Sequence, residues 1–569
     1  MVAAKTRKQT KGDIFMSMEV TRRGLLGGVA AAGGAAALGS LCANAAYAGT
    51  ADDAGADWLG QMPVIDESEI VETVETQVVV VGAGNGGAVC ACRAAQAGAE
   101  VIVIEQAPLA TTQRSFLGGV GTRWQEQTGQ TIDRNDIVCD LVRYSNGWAK
   151  QGLINIWADH SAEMLEWYDG ILEEQGQGIL LEYGTPQTRY PDWPTNHFPM
   201  ATRDQADGKL SSNNLQLILD KAAECGAEIR YGTKLVLAES DGIRVTGIIA
   251  QNDDGYVRIN ASKGVVLATG GYAGNEEMLD ALQPWLKGIV GSKLGTDFNT
   301  GDGIKAGLWL GAARQVRPTS MLFDRAVLPV DFKNGDAYDN GVWSGLSQPA
   351  LRVNVRGERF SNESMPYDFN CHAAGANGDG TWFQIFDKNF TEDVKSYDTM
   401  GCSRLVPGPG TGFSADGNTD GGMEGTTARI AGLVEDGLIQ QADTLEELAE
   451  KLGIPGDTLA ATVERYNELC DKGNDDDFGK ETSRMRPCRE APFYGVHVSS
   501  WLLCTLDGLC INERFQVLNG DDEPIEGLYA IGNDAGDYFV GNYPELIVGA
   551  AVGRTLTFGY LLGDALAQD

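Results

Sequence analysis

The chain is poor in histidine and in the cysteine spacings that hold metals. It has four histidines, too few for most histidine-based sites, and none of its 11 cysteines forms a C-x-x-C or C-x-x-C-H motif. These absences argue against a c-type haem and against the common zinc and iron–sulfur sites. We therefore expect no metal site, and we interpret the cysteines as buried, reduced thiols.

Positive charge and long apolar runs are also scarce. Lysine and arginine total 44 against 79 aspartates and glutamates, which gives a formal net charge of −35. Such a field repels nucleic acid and anionic lipid, so we exclude nucleic-acid binding. After Ala48 no stretch of about 18 strongly apolar residues occurs, so we expect a soluble mature chain without a transmembrane segment.

Residues 1–48 have the features of an export signal. Arg22 and Arg23 precede small, weakly apolar residues that end in an A-x-A pattern at 46–48. Their glycine and alanine content makes a membrane anchor a poor interpretation. TRRGLL resembles the twin-arginine signal, which carries folded, cofactor-loaded proteins. We predict a twin-arginine signal over 1–48, a linker over 49–74, and a protein exported to the extracytoplasmic face of a bacterial cell envelope.

A nucleotide-binding turn follows the apolar strand 77–81. VVVVGAGNGG places Gly82, Gly84 and Gly87 in G-x-G-x-x-G spacing. The glycines allow a tight turn, close approach of the backbone to a pyrophosphate, and tight helix packing. The next strand ends before Glu105, where an acid can bind ribose hydroxyls. Neighbouring residues that we assign to the same cofactor site are Ala83, Asn85, Gly86 and Gln106.

Hydrophobic patterns along the chain predict a mixed α/β protein. Short apolar runs predict buried strands, and apolar residues at every third or fourth position predict helices. The predicted strands are 77–81, 100–104, 264–268 and 527–531. The predicted helices are one after the glycine turn to about residue 98, and 154–175, 444–452 and 456–469.

Three segments carry a resemblance to a known family. ATGGYAGNEEM (268–278), NTGDGIKAGLWLGA (299–312) and GLYAIGNDAG (527–536) occur in this order in the flavoprotein family of fumarate reductases and 3-ketosteroid dehydrogenases. The resemblance covers nearly the whole chain after the signal. It implies an α/β fold in which a Rossmann-type FAD-binding domain is interrupted by a smaller α+β capping domain.

The resemblance also implies domain bounds and a set of residues around a non-covalent FAD. The FAD-binding domain would comprise 75–312 and 505–569, and the capping domain 313–504. No histidine stands where a covalent flavin link would need one. Thr111 and Thr112 fill places where the family usually has glycine. The further residues assigned to the FAD site are Thr112, Gly118, Gly119, Thr269, Gly270, Asp302, Gly303, Asn533, Asp534 and Ile547.

The fumarate reductase branch is the poorer match at the substrate site. QIFDKNFTED puts Thr391 near the place of that branch's catalytic arginine, and LLCTLDGL puts Cys504 at the place of its histidine. Two groups that bind a dicarboxylate are thereby lost. We therefore expect fumarate to be a poor substrate.

The ketosteroid dehydrogenase branch is the closer match. NESMPYDFN puts Tyr367 at the place of a tyrosine that acts as acid or base. GNYPELIVG puts Tyr543 at the place of a tyrosine that, with a glycine N–H, holds the substrate's carbonyl oxygen. That glycine does not match cleanly, since ELIV follows Pro544, and Gly549 is an approximate replacement. Trp193 falls on a third tyrosine and could stack on a flat ring. Core packing is the alternative for each aromatic residue.

These matches predict an FAD-dependent reductase of activated C=C bonds in a flat, apolar substrate such as an enone, a steroid-like compound or a plant phenolic. Hydride would pass from flavin N5 to the carbon β to a carbonyl, Tyr543 would stabilise the acceptor oxygen, and Tyr367 would protonate the α-carbon. The same site run backwards is a ketosteroid-type dehydrogenase. A ligand-binding or electron-carrying flavoprotein is the alternative of another class. Without a haem motif or second flavin domain, the chain needs a separate donor, which we expect to be a membrane-linked cytochrome or flavoprotein.

Overall fold

The computed structural model describes residues 57–568 except 113–114, 186–188, 205–208, 335–340 and 406–421. The predicted signal and the first eight residues of the predicted linker, 49–56, lie outside the described residues. In the described part of the chain, no helix is long and apolar enough to cross a membrane.

The strands are numbered in chain order. They are β1 (Ile70–Val81), β2 (Val101–Ile104), β3 (Leu117–Gly118), β4 (Gly178–Leu181), β5 (Asn196–Met200), β6 (Glu228–Arg230), β7 (Lys234–Ser240), β8 (Val245–Asn252), β9 (Gly255–Leu267), β10 (Val290–Ser292), β11 (Ser320–Leu328), β12 (Leu351–Val353), β13 (Trp382–Asp387), β14 (Ile439–Ala442), β15 (Phe493–Thr505), β16 (Gln516–Leu518) and β17 (Pro524–Ala530).

The α-helices follow the same numbering. They are α1 (Asn85–Gln96), α2 (Arg123–Thr128), α3 (Arg134–Tyr144), α4 (Gln151–Glu173), α5 (Asn214–Glu224), α6 (Glu276–Leu282), α7 (Asp302–Trp309), α8 (Tyr367–Asn377), α9 (Phe390–Asp393), α10 (Gly422–Glu435), α11 (Leu445–Leu452), α12 (Gly456–Lys472) and α13 (Ala550–Gln568).

An eight-stranded sheet carries the predicted nucleotide-binding unit. Its main path runs β16-β17-β9-β1-β2-β6, and β17, β9, β1, β2 and β6 are parallel. β8 and β7 extend antiparallel from β9. The four strands predicted from the sequence are the neighbours β17, β9, β1 and β2. Their continuous apolar runs fit a parallel sheet, which is covered on both faces, and the predicted α/β class is confirmed.

A six-stranded sheet is formed by β10 to β15. In the sequence these strands come between the two segments that form the eight-stranded sheet. The 13-residue strand β15 is the centre of the six-stranded sheet and pairs with β10, β11, β13 and β14, while β12 pairs with β13. α8 packs against β11, and α11 packs against β14 and β15. This packing places the first residues of α8 over a strand whose nine residues are all buried.

A small third sheet packs against α4. Its order is β3-β5-β4, with antiparallel pairing throughout. The Trp157 indole of α4 donates a hydrogen bond to the carbonyl of Gly118, at 3.1 Å. His197 of β5 is buried, with Nδ1 2.8 Å from the carbonyl oxygen of Thr195 and Nε2 2.8 Å from the hydroxyl of Thr122. Burial lowers the pKa of His197 to about 4, so this histidine is neutral at pH 7.

The predicted helices are present with small shifts at their ends. The helix predicted over 154–175 is α4, and those predicted over 444–452 and 456–469 are α11 and α12. The predicted linker requires a correction, because its last residues, 70–74, already form β1 and pair with β9. β10 lies before the predicted domain boundary at 312 yet belongs to the six-stranded sheet. The remaining domain bounds stay predictions.

Candidate functional site

A cavity of about 290 Å³ extends from the glycine turn after β1 to the six-stranded sheet. Fourteen of the residues assigned from the sequence line it. They are Gly82, Gly84, Asn85, Gly86, Glu105, Gln106, Thr112, Thr269, Gly270, Asp302, Asn533, Tyr367, Tyr543 and Gly549. The cavity therefore brings the predicted cofactor residues and both predicted catalytic tyrosines to one continuous wall.

The backbone of the glycine turn has a geometry that can accommodate a phosphate group. Gly82 has φ +105°, and a Cβ at Gly87 would lie 1.9 Å from the carbonyl oxygen of Gly82. Gly87 therefore permits α1 to start directly against the turn. A Cβ at Gly84, by contrast, would meet no atom closer than 3.8 Å. Gly84 faces the open cavity at the N-terminus of α1, where backbone N–H groups attract phosphate oxygens.

Glu105 is held at the end of β2 by two backbone amides. Its Oε2 accepts a hydrogen bond from the N–H of Ala83 at 2.9 Å, and its Oε1 accepts one from the N–H of Ala107 at 2.8 Å. Each carboxylate oxygen has a second lone pair, so ribose hydroxyls can still donate to it. Lys234, which the sequence analysis did not assign, lines the same end of the cavity and forms an ion pair with Asp302 at 3.2 Å.

Asp534 organises the opposite wall without lining the cavity. Its Oδ2 accepts from the N–H of Thr269 at 2.5 Å, and its Oδ1 accepts from the N–H of Gly271 at 3.0 Å. Burial raises the pKa of Asp534 to about 6, although these donors oppose the rise. Gly303 approaches the same carboxylate so closely that a Cβ there would lie 2.6 Å from Oδ2. The ATGG bend and the C-terminal segment are thus joined behind the cavity.

Several assigned residues support the wall from behind and do not line it. A Cβ at Gly118 would lie 2.5 Å from the carbonyl oxygen of Gly549, and Gly119 donates its N–H to the carbonyl of Thr195. These contacts hold β3 against the segment before α13. The assigned residues that lie outside the cavity lining are Ala83, Gly87, Gly118, Gly119, Gly303, Asp534, Ile547 and Trp193.

Trp193 does not reach the position that the sequence analysis gave it. Its indole N–H donates to Oδ2 of Asp140 at 2.7 Å, and its backbone N–H donates to the carbonyl of Leu546 at 2.8 Å. The ring therefore ties α3 to the C-terminal segment. The structure does not bring Trp193 together with the two tyrosines as a ring that stacks on a substrate.

Tyr367 and Tyr543 line the capping end of the cavity. Tyr367 is the first residue of α8, and its ring stacks on Phe323 of β11 with ring centroids 4.6 Å apart. The Arg325 guanidinium lies 4.7 Å from the centre of the Phe323 ring and 5.5 Å from that of Tyr367. Tyr543 is buried against Phe539, with ring centroids 5.3 Å apart. Both phenols are therefore fixed by aromatic packing next to the cavity.

The sequence analysis missed the carboxyl groups at this end. Asp324 of β11 accepts hydrogen bonds from Arg352 and from the hydroxyl of Ser347, both at 2.5 Å. Glu363 forms a bidentate ion pair with Arg359, at 2.7 and 2.8 Å. Lys480 and Arg359 hold the pKa of Glu363 below its usual range although burial opposes them. Asp324 lies in no motif that the sequence analysis singled out. Glu363 lies in NESMPYDFN, where only Tyr367 was assigned a role.

Thr391 and Cys504 are the residues at the places of the catalytic arginine and the histidine of the fumarate reductase branch. Cys504 lines the cavity, and burial raises the pKa of its thiol to about 12. Thr391 lies in α9 and is outside the cavity lining. Arg484 lines the cavity, but it donates to the carbonyls of Tyr397 and Asp398. Among the described residues, no group of three or more histidine, cysteine, aspartate or glutamate side chains could hold a metal ion.

Comparisons with known proteins agree with this geometry. The chain matches the FAD binding domain family over residues 77–545. It is similar to a vinyl phenol reductase of Lactiplantibacillus plantarum, with 27% identity over 83% of this chain and 93% of that protein. It is also similar to a 3-oxosteroid 1-dehydrogenase of Mycolicibacterium smegmatis, with 32% identity over 59% of each protein.

A solved structure of a flavocytochrome c3 fumarate reductase in an open conformation is also similar. It has a TM-score of 0.63 and 25% identity, and the match covers 88% of this chain and 79% of that chain. The family resemblance and the FAD cofactor predicted from the sequence are thereby confirmed.

Proposed function

The chain belongs to the FAD binding domain family and is an FAD-dependent oxidoreductase, and we propose that it reduces activated C=C bonds in flat, apolar compounds. The observation that carries this proposal is the position of Tyr367 and Tyr543 on the wall of the cavity that begins at the glycine turn. When bound, FAD supplies a hydride to the carbon β to an electron-withdrawing group. The residues of the chain supply the hydrogen bonds and the proton.

The two tyrosines have separate roles in this proposal. The hydroxyl of Tyr543 donates a hydrogen bond to the oxygen on which negative charge develops. The hydroxyl of Tyr367 gives a proton to the α-carbon. A phenol with the ordinary pKa of about 10 is still protonated at neutral pH, which suits a proton donor. Stacking on Phe323 fixes the ring of Tyr367 and thereby the position of its phenol oxygen.

The cavity lining supports a flat and largely apolar substrate. Met321, Phe323, Met365, Met400 and Leu503 line the cavity together with the two tyrosines. Such side chains bury aromatic or alicyclic rings favourably. The similarity to vinyl phenol reductase supports a phenolic aryl compound, and the similarity to 3-oxosteroid 1-dehydrogenase supports an enone or a steroid-like compound.

The test uses the FAD-loaded protein under argon. After reduction with dithionite and removal of the excess, the protein is mixed with benzalacetone, its 4-hydroxyphenyl analogue or a conjugated ketosteroid. We expect at least one of them to restore the absorbance of oxidised flavin, with one equivalent of saturated product. Styrene, whose double bond lacks an acceptor oxygen, and fumarate are the controls and should leave the flavin reduced. Reoxidation by none of the activated compounds would contradict the proposal, and it would favour a ligand-binding or electron-carrying flavoprotein.

The reverse reaction is a second candidate, which the similarity to 3-oxosteroid 1-dehydrogenase favours. The same tyrosines would then remove a proton from the α-carbon and stabilise the enolate oxygen. Saturated ketones would reduce the oxidised flavin, and an artificial acceptor would sustain turnover. The ratio of the two single-turnover rates, measured with one enone and its saturated ketone, decides the direction.

We also propose that the chain is exported by the twin-arginine route. The residues that support this proposal, Arg22 and Arg23, lie outside the described residues. Replacing both with lysine should leave an FAD-loaded protein in the cytoplasm, as measured by cell fractionation. Unchanged export of that variant would contradict the proposal.

A separate protein is proposed as the electron donor. The chain has no haem motif, and its net charge of −35 favours a donor with a basic docking face. Turnover with such a donor should weaken as salt rises. Rapid steady turnover with NADH as the sole reductant would contradict this arrangement.

A further inference from the structure

Glu545 stands in the cavity wall close to Tyr543 in the sequence. It follows Tyr543 by two residues, in YPELIVG. Its side chain is buried and lines the cavity. Oε2 accepts a hydrogen bond from the backbone N–H of Asp368 at 3.0 Å, and its own N–H donates to the carbonyl of Tyr543 at 3.1 Å. Glu545 therefore contacts the first turn of α8, which begins with Tyr367, and the segment that carries Tyr543.

No cation balances this carboxyl group among the described residues. The titratable groups that face it are Asp324 from β11, Tyr367 and Asp368 from α8, Tyr144 from α3, and Tyr543 from its own segment. Two other buried carboxyls of the cavity, those of Asp324 and Glu363, differ in this respect.

Arginines neutralise those other carboxyls. Asp324 pairs with Arg352, and Glu363 pairs with Arg359. Burial raises the pKa of Glu545 well above its usual range, and the carboxyls of Asp324 and Asp368 raise it further. The backbone amides of Tyr367 and Asp368 oppose this rise without cancelling it. A buried carboxyl in such surroundings keeps its proton.

We propose that Glu545, as a neutral carboxylic acid, donates a second hydrogen bond to the acceptor oxygen of the substrate, beside the hydroxyl of Tyr543. This inference rests on the proposed function, since it names a second hydrogen-bond donor to the acceptor oxygen at the same site. It also defines the substrate class as neutral compounds that present a carbonyl or similar oxygen. A substrate carboxylate would lie against a carboxyl group that has no cation and would be rejected.

A protonated carboxyl group can donate to such an oxygen as a backbone amide can. A backbone N–H and a carboxylic O–H are both single donors, and both are neutral before charge develops on the substrate. A neutral acid that donates to a developing oxyanion is a known way to stabilise it. The hydrogen bond from Asp368 fixes one oxygen of Glu545, so the carboxyl plane is oriented before the substrate binds.

Two variants separate the donor role from a structural one. Glu545→Gln keeps an oxygen for the N–H of Asp368 and supplies an amide N–H₂ as donor. Glu545→Met keeps the length of the side chain and removes the donor. Both are prepared with FAD bound, and their flavin content and thermal unfolding are compared with those of the unchanged protein.

The readout is the binding of acetylnaphthalene to the oxidised protein, followed by the change in flavin absorbance. This ketone has no saturated C–C bond next to its carbonyl that the flavin could oxidise, so binding is measured without turnover. We expect Glu545→Met to weaken its binding at least about tenfold, and Glu545→Gln to stay within about threefold of the unchanged protein. Ethylnaphthalene, the matched hydrocarbon, should bind all three proteins within about twofold.

The infrared band of the bound carbonyl gives an independent signature. A hydrogen bond to the oxygen lowers the C=O stretching frequency, so the frequency should rise in Glu545→Met and remain low in Glu545→Gln. Equal weakening in both variants, or weakening in neither, would overturn the donor role. Tighter binding of naphthoate than of acetylnaphthalene to the unchanged protein would overturn the substrate class. If this series holds while no activated C=C compound reoxidises the reduced flavin, the proposed function fails and the assignment of Glu545 stands.

Discussion

The two ends of the cavity are built from different parts of the polypeptide. At the FAD end the backbone forms the wall, and Gly82, Gly270 and Gly271 all have positive φ there. At the capping end side chains from separate elements form it, among them Phe323 from β11 and Tyr367 from α8. The first end is specified by local spacing and the second by tertiary contacts. Substitutions at the first end should therefore remove the cofactor, and substitutions at the second end should change the reaction.

Gly87→Ala should have the largest effect and should act on the FAD end alone. Its Cβ would lie 1.9 Å from the carbonyl oxygen of Gly82, so α1 could not start against the turn. We expect little or no protein with bound FAD, measured by the ratio of flavin to protein absorbance. Gly170→Ala is the matched control, because it lies within α4 with no atom within 4 Å of its new Cβ. A normal FAD content in Gly87→Ala would show that the turn is not as tight as described.

Tyr543→Phe should leave the cofactor in place and slow the reaction. The ring keeps its packing on Phe539, and the substitution removes the hydroxyl that we propose as donor to the substrate's oxygen. Loss of one such donor costs roughly 10²-fold in kcat. Flavin absorbance and thermal stability should match those of the unchanged protein. Loss of FAD from Tyr543→Phe would contradict the conclusion that one end of the cavity binds the cofactor and the other determines the reaction.

Glu105→Ala should weaken FAD retention without changing the chemical step. The carboxylate orients the turn through Ala83 and Ala107 and faces the cavity. Losing its charge-assisted hydrogen bonds should raise the Kd for FAD by about 10- to 100-fold, which fluorescence titration of the FAD-free protein measures. At saturating FAD, kcat should return to within about twofold of normal. Glu105→Gln retains one acceptor oxygen, so its Kd for FAD should lie between those of the unchanged protein and Glu105→Ala.

Trp193→Phe should have the smallest effect. It should lower the stability of the fold and leave the reaction nearly unchanged. The substitution removes the indole N–H that donates to Asp140 and preserves most of the ring's packing. We expect a loss of about 1 kcal/mol in the free energy of unfolding and turnover within about twofold of normal. A large rise in KM at unchanged stability would instead restore the interpretation that this ring stacks on the substrate.

The difference between the FAD end and the capping end of the cavity also explains how much the sequence could predict. The strands 77–81, 100–104, 264–268 and 527–531 were identifiable because a parallel sheet requires continuous apolar runs, and they are neighbours in the eight-stranded sheet. At the capping end, Tyr367 and Tyr543 were identifiable only through the family resemblance.

Local patterns could not reveal the partners of the capping-end side chains. The hydrogen bond from Trp193 to Asp140, 53 residues earlier in the chain, could not be predicted from local spacing. Glu545 was not assigned from the sequence, and its importance follows from its burial without a paired cation in the described part of the chain. Pairing between distant side chains is set by tertiary packing, which hydrophobic periodicity does not encode.

The most direct test of the proposed reaction compares the unchanged protein with Tyr367→Phe in a single turnover. Both proteins, loaded with FAD and reduced under argon, are mixed with the activated compound that best reoxidises the unchanged protein. Return of oxidised flavin is followed by stopped-flow absorbance. We expect Tyr367→Phe to retain its FAD and its stability and to react roughly 10²-fold more slowly, since it has lost its general acid. Reoxidation of Tyr367→Phe at the rate of the unchanged protein would contradict the assignment of the proton to this tyrosine.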